Sequence, residues 1–584
     1  MIKRLTILVK IYAILLIFAV LTHNAYADGK DKLIHEFVKK YYDMQLFNGS
    51  VLVAENDKVI YKNGFGYANM EWKIPNRPDT IFRIGSVTKQ FTAILILKLV
   101  EEEKISLDGK ITDYLPDYPK NQGNKVTIHH LLTHTSGIPS YTGLPNFFKD
   151  ISRNPYKPEE LLSVFSEMEF EFEPGSEFRY NNSGYFILGA IIEKVAGKRY
   201  DKVLHERILD PLDLENTGYE HYEKITEKRA SGYQKVLGGY QVAPYLDTSL
   251  PYSAGMMYSS VEDLFKWNQI LYTEKLFKDQ KYKKLMFTPN LQNYGYGWII
   301  RQQKIGKTDK FINVIEHGGG IHGFSTGFRR LVDDKHAIII MDNTSGNSNG
   351  KIMNGIVNIL YGEPTEDPKM PIAEELMPII NKEGVEKAIS HYSKLKKEKA
   401  DSYDFSEREL NNLGYQLLNN DDLETAIAIF KLNVEAYPDA FNTYDSLGEA
   451  YKKIGNKKLA IKNYQKSVQL NPRNEGGKEM LAELGVEVDP DLGKEMTLSA
   501  EILQKYVGKY ELKPNFIITI SLEGNQLKAQ ATGQSAFEIF AERETKFFSK
   551  AFPVQMTFDL ADSGQVESMT LHQNGQNMPA KKIE

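Results

Sequence analysis

Apolar and polar positions fall into three rhythms along the chain. Val51-Leu52-Val53-Ala54 and Val59-Ile60-Tyr61 stand on either side of Asn56-Asp57, apolar strands around a turn, and predict a hairpin. Before it, residues 28–45 read as a short amphipathic helix. After it, Ser86 to about Glu103 predicts a long helix. Its run Phe91, Ile94, Leu95, Ile96, Leu97, Leu99, Val100 is apolar nearly all round, the pattern of a helix buried at the centre of a domain. Near 311–342 the pattern returns to strands, with Phe324 to Leu331 and Ala337 to Met341 flanking Asp333-Asp334-Lys335. Strands at both ends with helices between predict one α+β domain over 28–362 whose sheet joins its own termini.

Four prolines, Pro364, Pro368, Pro371 and Pro378, mark 363–378 as a linker. Beyond it, Leu413, Gly414, Ala426, Phe430 and Pro438 recur as Leu447, Gly448, Ala460, Tyr464 and Pro472, each 34 residues on. Ala388 and Tyr392 suggest a degenerate earlier unit. The period, the small residues at helix crossings and the closing proline resemble the tetratricopeptide repeat, which predicts stacked helical hairpins over 379–490. Such an array presents a concave surface that fits a protein or peptide partner, or it serves as a rigid spacer; the sequence leaves both open. The last stretch, 497–584, alternates with period two. Ile518, Ile520 and Leu522 are followed, after Glu523-Gly524-Asn525, by Leu527, Ala529 and Ala531; Val554, Met556, Phe558 and Leu560 repeat the rhythm. This predicts a small antiparallel β domain, a barrel or a curved sheet.

Composition bounds the remainder. A chain of 584 residues holds three or four cores. Its net charge of −5 leaves no basic excess to neutralise phosphates, so nucleic acid is not expected as a partner. The absence of cysteine removes disulfides, thiolate nucleophiles and Cys-based zinc sites together. The compartment is read from the N-terminus instead. Lys3 and Arg4, the apolar run Ile11 to Leu21, and Ala25-Tyr26-Ala27 form the three parts of a signal peptide, 1–27, cleaved after Ala27. That predicts an exported protein, periplasmic or extracellular. Counting the apolar run back to Leu5 allows an uncleaved anchor; no later segment is apolar enough to cross a bilayer.

The chemistry begins at Ser86-Val87-Thr88-Lys89. Serine and lysine three apart share one helix face. A serine at the positive end of a helix dipole sits where a developing oxyanion is stabilised. A hydroxyl needs an adjacent base, and lysine serves as one only if burial or nearby positive charge lowers its pKa. The bare spacing is common, for Ser348–Lys351 and Ser393–Lys396 share it, but only Ser86 opens a long buried helix. A second element is Tyr180-Asn181-Asn182, whose spacing also occurs at Tyr61–Asn63 and Tyr67–Asn69. A third is Glu316-His317-Gly318-Gly319-Gly320, a glycine run that lets another backbone or a substrate come close.

In this order the three motifs resemble those of the β-lactamase-related serine hydrolases: class C β-lactamases and penicillin-binding proteins, D,D-carboxypeptidases, D-aminopeptidases and esterases. The family order is Ser-x-x-Lys, Tyr-x-Asn, then Lys-Thr-Gly or His-x-Gly. Family-like phrases lie between them: Leu131-Leu132-Thr133-His134-Thr135-Ser136-Gly137, Ser253-Ala254-Gly255-Met256-Met257-Tyr258-Ser259 and Tyr294-Gly295-Tyr296-Gly297-Trp298. The resemblance spans roughly 30–360 and implies a β-lactamase/transpeptidase-like fold. It further implies that Ser86 attacks a carbonyl and that Lys89 and Tyr180 share the proton transfer, with the choice of base open. Asn182 would orient Lys89 and the substrate, and His317, Gly319 and Gly320 would bind substrate. The oxyanion would lie between the N–H groups of Ser86 and Gly320.

Histidine rather than lysine at 317 removes a fixed positive partner for a substrate carboxylate, although Arg329 and Arg330 on the next strand could supply one. The expected activity is therefore that of an esterase or peptidase on a small molecule or peptide, with β-lactamase or D,D-carboxypeptidase as the alternatives. A non-catalytic binding protein using the repeats is the rival from another class. His129, His130 and His134 cluster without carboxylates at metalloprotease spacing, so neither metal nor cofactor is expected.

Overall fold

A computed structural model describes residues 29–488, 493, 495–514, 516–534, 536–551, 554–561, 563–573 and 576–584. Residues 1–27, expected to be a signal peptide, lie outside the described residues. The chain divides into two compact units, one up to Pro368 and one from Lys369.

The first unit is built on a six-stranded sheet, antiparallel throughout. Its order is Ile299–Lys304, Phe311–Ile321, Phe324–Leu331, His336–Asp342, Gly49–Glu55 and Lys58–Phe65. The strand from the N-terminal hairpin pairs with the strand from the C-terminal end, Val51 opposite Ile340, so the sheet joins the termini of the domain. Asn56 and Asp57 both take positive φ (49° and 61°), the two-residue turn whose twist matches that of its strands.

Both faces of the central strands are covered, which is why they read as unbroken apolar runs. Val51, Val53, Ile338 and Ile340 pack with Ile34, Phe37, Ile352 and Ile356 of the terminal helices, residues 29–43 and Asn349–Tyr361. Those two helices pack so closely that a Cβ on Gly355 would stand 2.1 Å from the Phe37 ring. On the other face Leu52, Ala54, Ile339 and Met341 join the larger core. At its centre lies the helix Thr88–Glu101, entered through a single 3-10 turn, Gly85–Val87. Phe91 stacks on Trp267 with ring centroids 4.4 Å apart.

The second unit opens with a correction. The proline-rich stretch 363–378 is not all linker: Ile372–Glu383 is a helix with Pro378 inside it. Pro371 sits at its N-cap, where a missing N–H costs nothing, and Ile372, Ala373, Leu376 and Ile380 form a buried stripe that outweighs the hydrogen bond lost at Pro378. The helical array therefore starts at 372 and runs through Val385–Glu398, Glu407–Asn419, Leu423–Ala436, Phe441–Lys453, Lys457–Leu470 and Glu475–Glu483. The 34-residue repeat has a steric cause. In each full hairpin the glycine of the first helix faces the aromatic ring of the second, Gly414 against Phe430 and Gly448 against Tyr464, where a Cβ would stand 2.4 and 3.2 Å from ring carbons.

The C-terminal strands close into an eight-stranded antiparallel barrel, Gly508–Lys513 pairing with Gln576–Lys582. Tyr506, Tyr510, Phe547, Phe558 and Met569 fill its interior. Ile518, Ile520, Leu527, Ala529, Val554, Met556 and Phe558 point inward as their alternation predicts. Leu560 does not: a register shift between Asp559 and Leu560 turns it out, 39% exposed.

Candidate active site

Two segments meet at Ser86. Gly85, with φ +52°, lifts the chain into the 3-10 turn that carries Ser86, and a Cβ there would stand 2.9 Å from the Gly320 amide nitrogen. Glycine is thus required twice, for the left-handed backbone and for the approach of the glycine-rich strand. Gly319 faces the same junction, where a Cβ would lie 1.9 Å from the Ile84 carbonyl oxygen, while the space beyond Gly320 is open. The Gly320 backbone consequently borders the cleft beside Ser86.

Lys89, one turn into the helix, is fully buried. Its Nζ lies 3.0 Å from Ser86 Oγ, 2.8 Å from Asn182 Oδ1 and 2.8 Å from the Ala254 carbonyl oxygen. No carboxylate among the described residues pairs with it, and burial holds its pKa well below that of an ordinary lysine. Tyr180 completes the group. Its hydroxyl is near enough to the Ser86 side chain to act on it, and its ring centroid is 4.9 Å from Lys89 Nζ. Desolvation pushes the phenol pKa up, opposed by the nearby Ser86 side chain. Because Tyr180 keeps 38% of its surface exposed, that push is softer than the one on the enclosed amine.

Asn182 is the first residue of the helix Asn182–Ala196, and the Asn181 side chain caps that helix through Gly184 N. Ser140 Oγ accepts from Asn182 N (3.2 Å) and Thr142 Oγ1 from its Nδ2 (3.0 Å), which aims Oδ1 at Lys89. Ala254 belongs to the Ser253-Ala254-Gly255 phrase. Ser253 is the brace of that phrase: its carbonyl accepts from Thr92 Oγ1 (2.6 Å) and its Oγ donates to the Tyr185 carbonyl (2.8 Å). In the Tyr294-to-Trp298 phrase, Gly297 (φ +79°) lies against the Lys89 and Gln90 backbone.

The structure brings Ser86, Lys89, Tyr180 and Asn182 together and sets Gly320 at the cleft. It places His317 and Gly319 elsewhere than expected. The pleat alternates, so 317 and 319 are buried while 318 and 320 are exposed. His317 stands behind Tyr180, ring centroids 6.1 Å apart, and is 4% exposed. Its Nδ1 donates to the Gly318 carbonyl (2.6 Å) and its Nε2 accepts from the Tyr294 hydroxyl (2.9 Å). Both nitrogens are engaged, so it supports the cluster instead of lining the cleft. Burial, with Lys89 nearby, lowers its pKa to about 4. The arginines do not compensate. Arg329 is ion-paired with Glu316 at 2.5 Å, and Arg330, 2% exposed, donates to Asn268 Oδ1 at 2.9 Å. His129 pairs with the Tyr296 hydroxyl (2.8 Å), and no metal-holding group of side chains occurs among the described residues.

Residues that carried no separate signal in the sequence form the cleft wall: Phe147 and Phe148 from the π-helical segment Phe147–Ile151, Leu246 and Leu250 from a loop, and Phe324 from the sheet. They are scattered in sequence and share no spacing.

A serine held by a buried lysine and a phenol, beneath an antiparallel sheet covered by helices, defines a serine hydrolase of the β-lactamase/transpeptidase fold. Residues 31–359 match the family model described as Beta-lactamase, and the chain belongs to that family. Residues 441–474 match Tetratricopeptide repeat, and 493–582 match Domain of unknown function (DUF3471). Penicillin-binding protein 4* of Bacillus subtilis (strain 168) is 30% identical over 377 residues, covering 59% of this chain and 79% of that protein. Protein flp of Staphylococcus aureus (strain N315) is 28% identical over 331 residues, covering 54% of this chain and 62% of that protein. The octameric penicillin-binding protein homologue from Pyrococcus abyssi shares the fold, with a TM-score of 0.52, 21% identity, and coverage of 94% of this chain and 99% of that one.

Proposed function

We propose that this protein cleaves an ester or amide through an acyl-enzyme on Ser86, with Lys89 as base and Tyr180 as proton carrier. The observation that carries this reading is the dry amine of Lys89 turned onto Ser86 Oγ at 3.0 Å. A neutral amine has two N–H bonds and one lone pair. Asn182 Oδ1 and the Ala254 carbonyl only accept, so they take the two N–H groups and leave the lone pair for the serine proton.

Ser86 Oγ attacks the carbonyl carbon as its proton passes to Lys89. The electron pair displaced onto oxygen rests between the Ser86 and Gly320 N–H groups. Collapse breaks the C–O or C–N bond, Tyr180 protonates the departing oxygen or nitrogen, and Tyr180 recovers a proton from Lys89. Water then attacks the acyl carbon by the reverse relay, releasing a carboxylic acid and restoring Ser86.

Ser86→Ala abolishes turnover of p-nitrophenyl acetate, and intact-mass measurement detects an acyl adduct on the unaltered protein only; retained turnover in the variant refutes the assignment. An esterase or peptidase role is favoured over antibiotic hydrolysis because β-lactams carry a carboxylate, and His317, Arg329 and Arg330 offer none of them a free cation. Nitrocefin turnover equal to ester turnover overturns that preference. A non-catalytic binding role gains if neither a fluorophosphonate nor an ester panel modifies the protein.

Export is part of the same reading, supported by the charge, apolar run and Ala-x-Ala pattern of 1–27. An N-terminus of the mature protein at Asp28 is the expected measurement. The repeats are read as a platform for a protein or peptide partner. Affinity capture with the whole chain that enriches nothing favours the spacer role instead.

A further inference from the structure

Resting on that reading, we infer that the acyl part of the substrate is an uncharged apolar group larger than acetyl, an aryl or medium-chain acyl group. The cleft at Ser86 encloses about 410 Å³, far more than an acetyl group fills. Ser86, Asn182 and Gly320 form its reactive end; Phe147, Phe148, Leu246, Leu250 and Phe324 give it apolar walls, beside neutral polar groups such as Ser325 and Asn347. Tyr180, which serves the departing atom, does not line it. The acyl chain is accordingly assigned to this apolar space and the departing group to the side of Tyr180.

Charge excludes the alternatives. No Asp, Glu, Lys or Arg lines this cleft among the described residues. A free α-ammonium on the acyl group would lack a carboxylate among the lining residues; an acyl carboxylate would lack a free cation, because Arg83, which lies over the Phe324 ring at 5.9 Å, is ion-paired with Glu220 at 3.3 Å. The one ionisable side chain with some basicity, His322, has its pKa lowered by burial and turns Nδ1 to the Pro244 carbonyl at 3.2 Å. Neutral at pH 7, its ring acts as a further apolar surface.

The mouth of the cleft points the same way. Phe148, 69% exposed, stacks on His322 with centroids 5.7 Å apart and planes 16° from parallel. Beyond Pro244, Tyr245 meets Tyr222 at 6.0 Å, and these two are 44% and 71% exposed. Single exposed aromatics are ordinary, but a run of them leading into an apolar cleft marks a binding surface.

The test is the kcat/KM of the whole protein toward p-nitrophenyl acetate, butyrate, octanoate and phenylacetate, and toward an ester whose acyl chain ends in a carboxylate. Burial of one methylene is worth about fourfold. The expected result is a rise of about tenfold or more from acetate to octanoate, with the carboxylate-ended ester about tenfold or more below an uncharged ester of equal length. Phe148→Ala, at a position 69% exposed, lowers the octanoate-to-acetate ratio about fivefold. A flat or falling series, or a charged ester that matches its neutral counterpart, overturns the inference. Ser86→Ala run in parallel separates the two claims. If its turnover is lost while the series is flat, only the acyl preference fails; if its turnover persists, the underlying reading fails.

Discussion

His134 Nδ1 accepts the backbone N–H of Asn181 at 3.1 Å, and the His134 carbonyl accepts the N–H of Arg179 at 2.9 Å. One residue thus grips the chain on both sides of Tyr180, with its ring 4.3 Å from the Tyr180 ring. Since Nδ1 accepts, the ring proton is on Nε2, and burial favours this neutral form.

The grip makes His134 a positioning residue for Tyr180. His134→Ala should lower kcat about tenfold or more while KM moves less than about twofold, because a phenol displaced by a fraction of an ångström misses its proton while binding persists. His134→Asn, whose Oδ1 accepts the same N–H, should recover part of the loss. A merely structural role would lower the melting temperature of both variants without splitting kcat from KM.

Lys89 sets the expected pH dependence of kcat/KM. A base with a depressed pKa is active above that pKa, so the ascending limb lies well below the ordinary lysine value of 10.5. Tyr180→Phe should lower the plateau about a hundredfold and leave the limb in place. Lys89→Arg, which cannot deprotonate, should remove plateau and limb together.

Neighbouring glycines should respond differently to the same added methyl group. Gly319→Ala drives a Cβ to 1.9 Å from the Ile84 carbonyl oxygen, so we expect a loss above about 2 kcal/mol, a melting temperature several degrees lower and no turnover. Gly320→Ala meets nothing within 4 Å, so its melting temperature should hold while kcat/KM falls, because the methyl enters the cleft.

His317 ties stability to pH. Its folded pKa of about 4 lies below the 6.5 of an unfolded histidine, so below pH 6.5 the unfolded chain takes a proton that the folded one refuses. Its cost is absent above pH 6.5 and reaches about 2 kcal/mol at pH 5. Unfolding measured in denaturant at pH 7 and pH 5 should show at least that difference, since His134 and His130 add to it in the same direction, and His317→Gln should reduce it by about 2 kcal/mol.

The parts of the fold legible in the sequence are those written in short-range rhythm. The hairpin at Asn56-Asp57 and the buried helix after Ser86 rest on neighbours a few positions apart, and the 34-residue repeat on one glycine–aromatic contact within each helical hairpin, copied at a fixed offset. The errors arise where a local rule meets a longer-range force. Prolines at 371 and 378 suggested a linker, but burial of Ile372, Leu376 and Ile380 made a helix; the bulge at Asp559 reversed the expected side of Leu560. At the site, the ordered motifs mark Ser86, Lys89, Tyr180 and Asn182, whereas Phe148, Leu246 and His322 come from separate segments with no shared spacing.

By itself the sequence determined the α+β class, the helical repeats, the β domain and the three motifs, because side-chain periodicity and motif order are properties of the chain. Only the tertiary structure decided that Lys89 is dry, that His317 turns inward onto Tyr294, and that Arg329 and Arg330 are already engaged. The state of an ionisable group depends on what surrounds it in space, and those surroundings are assembled from segments hundreds of residues apart.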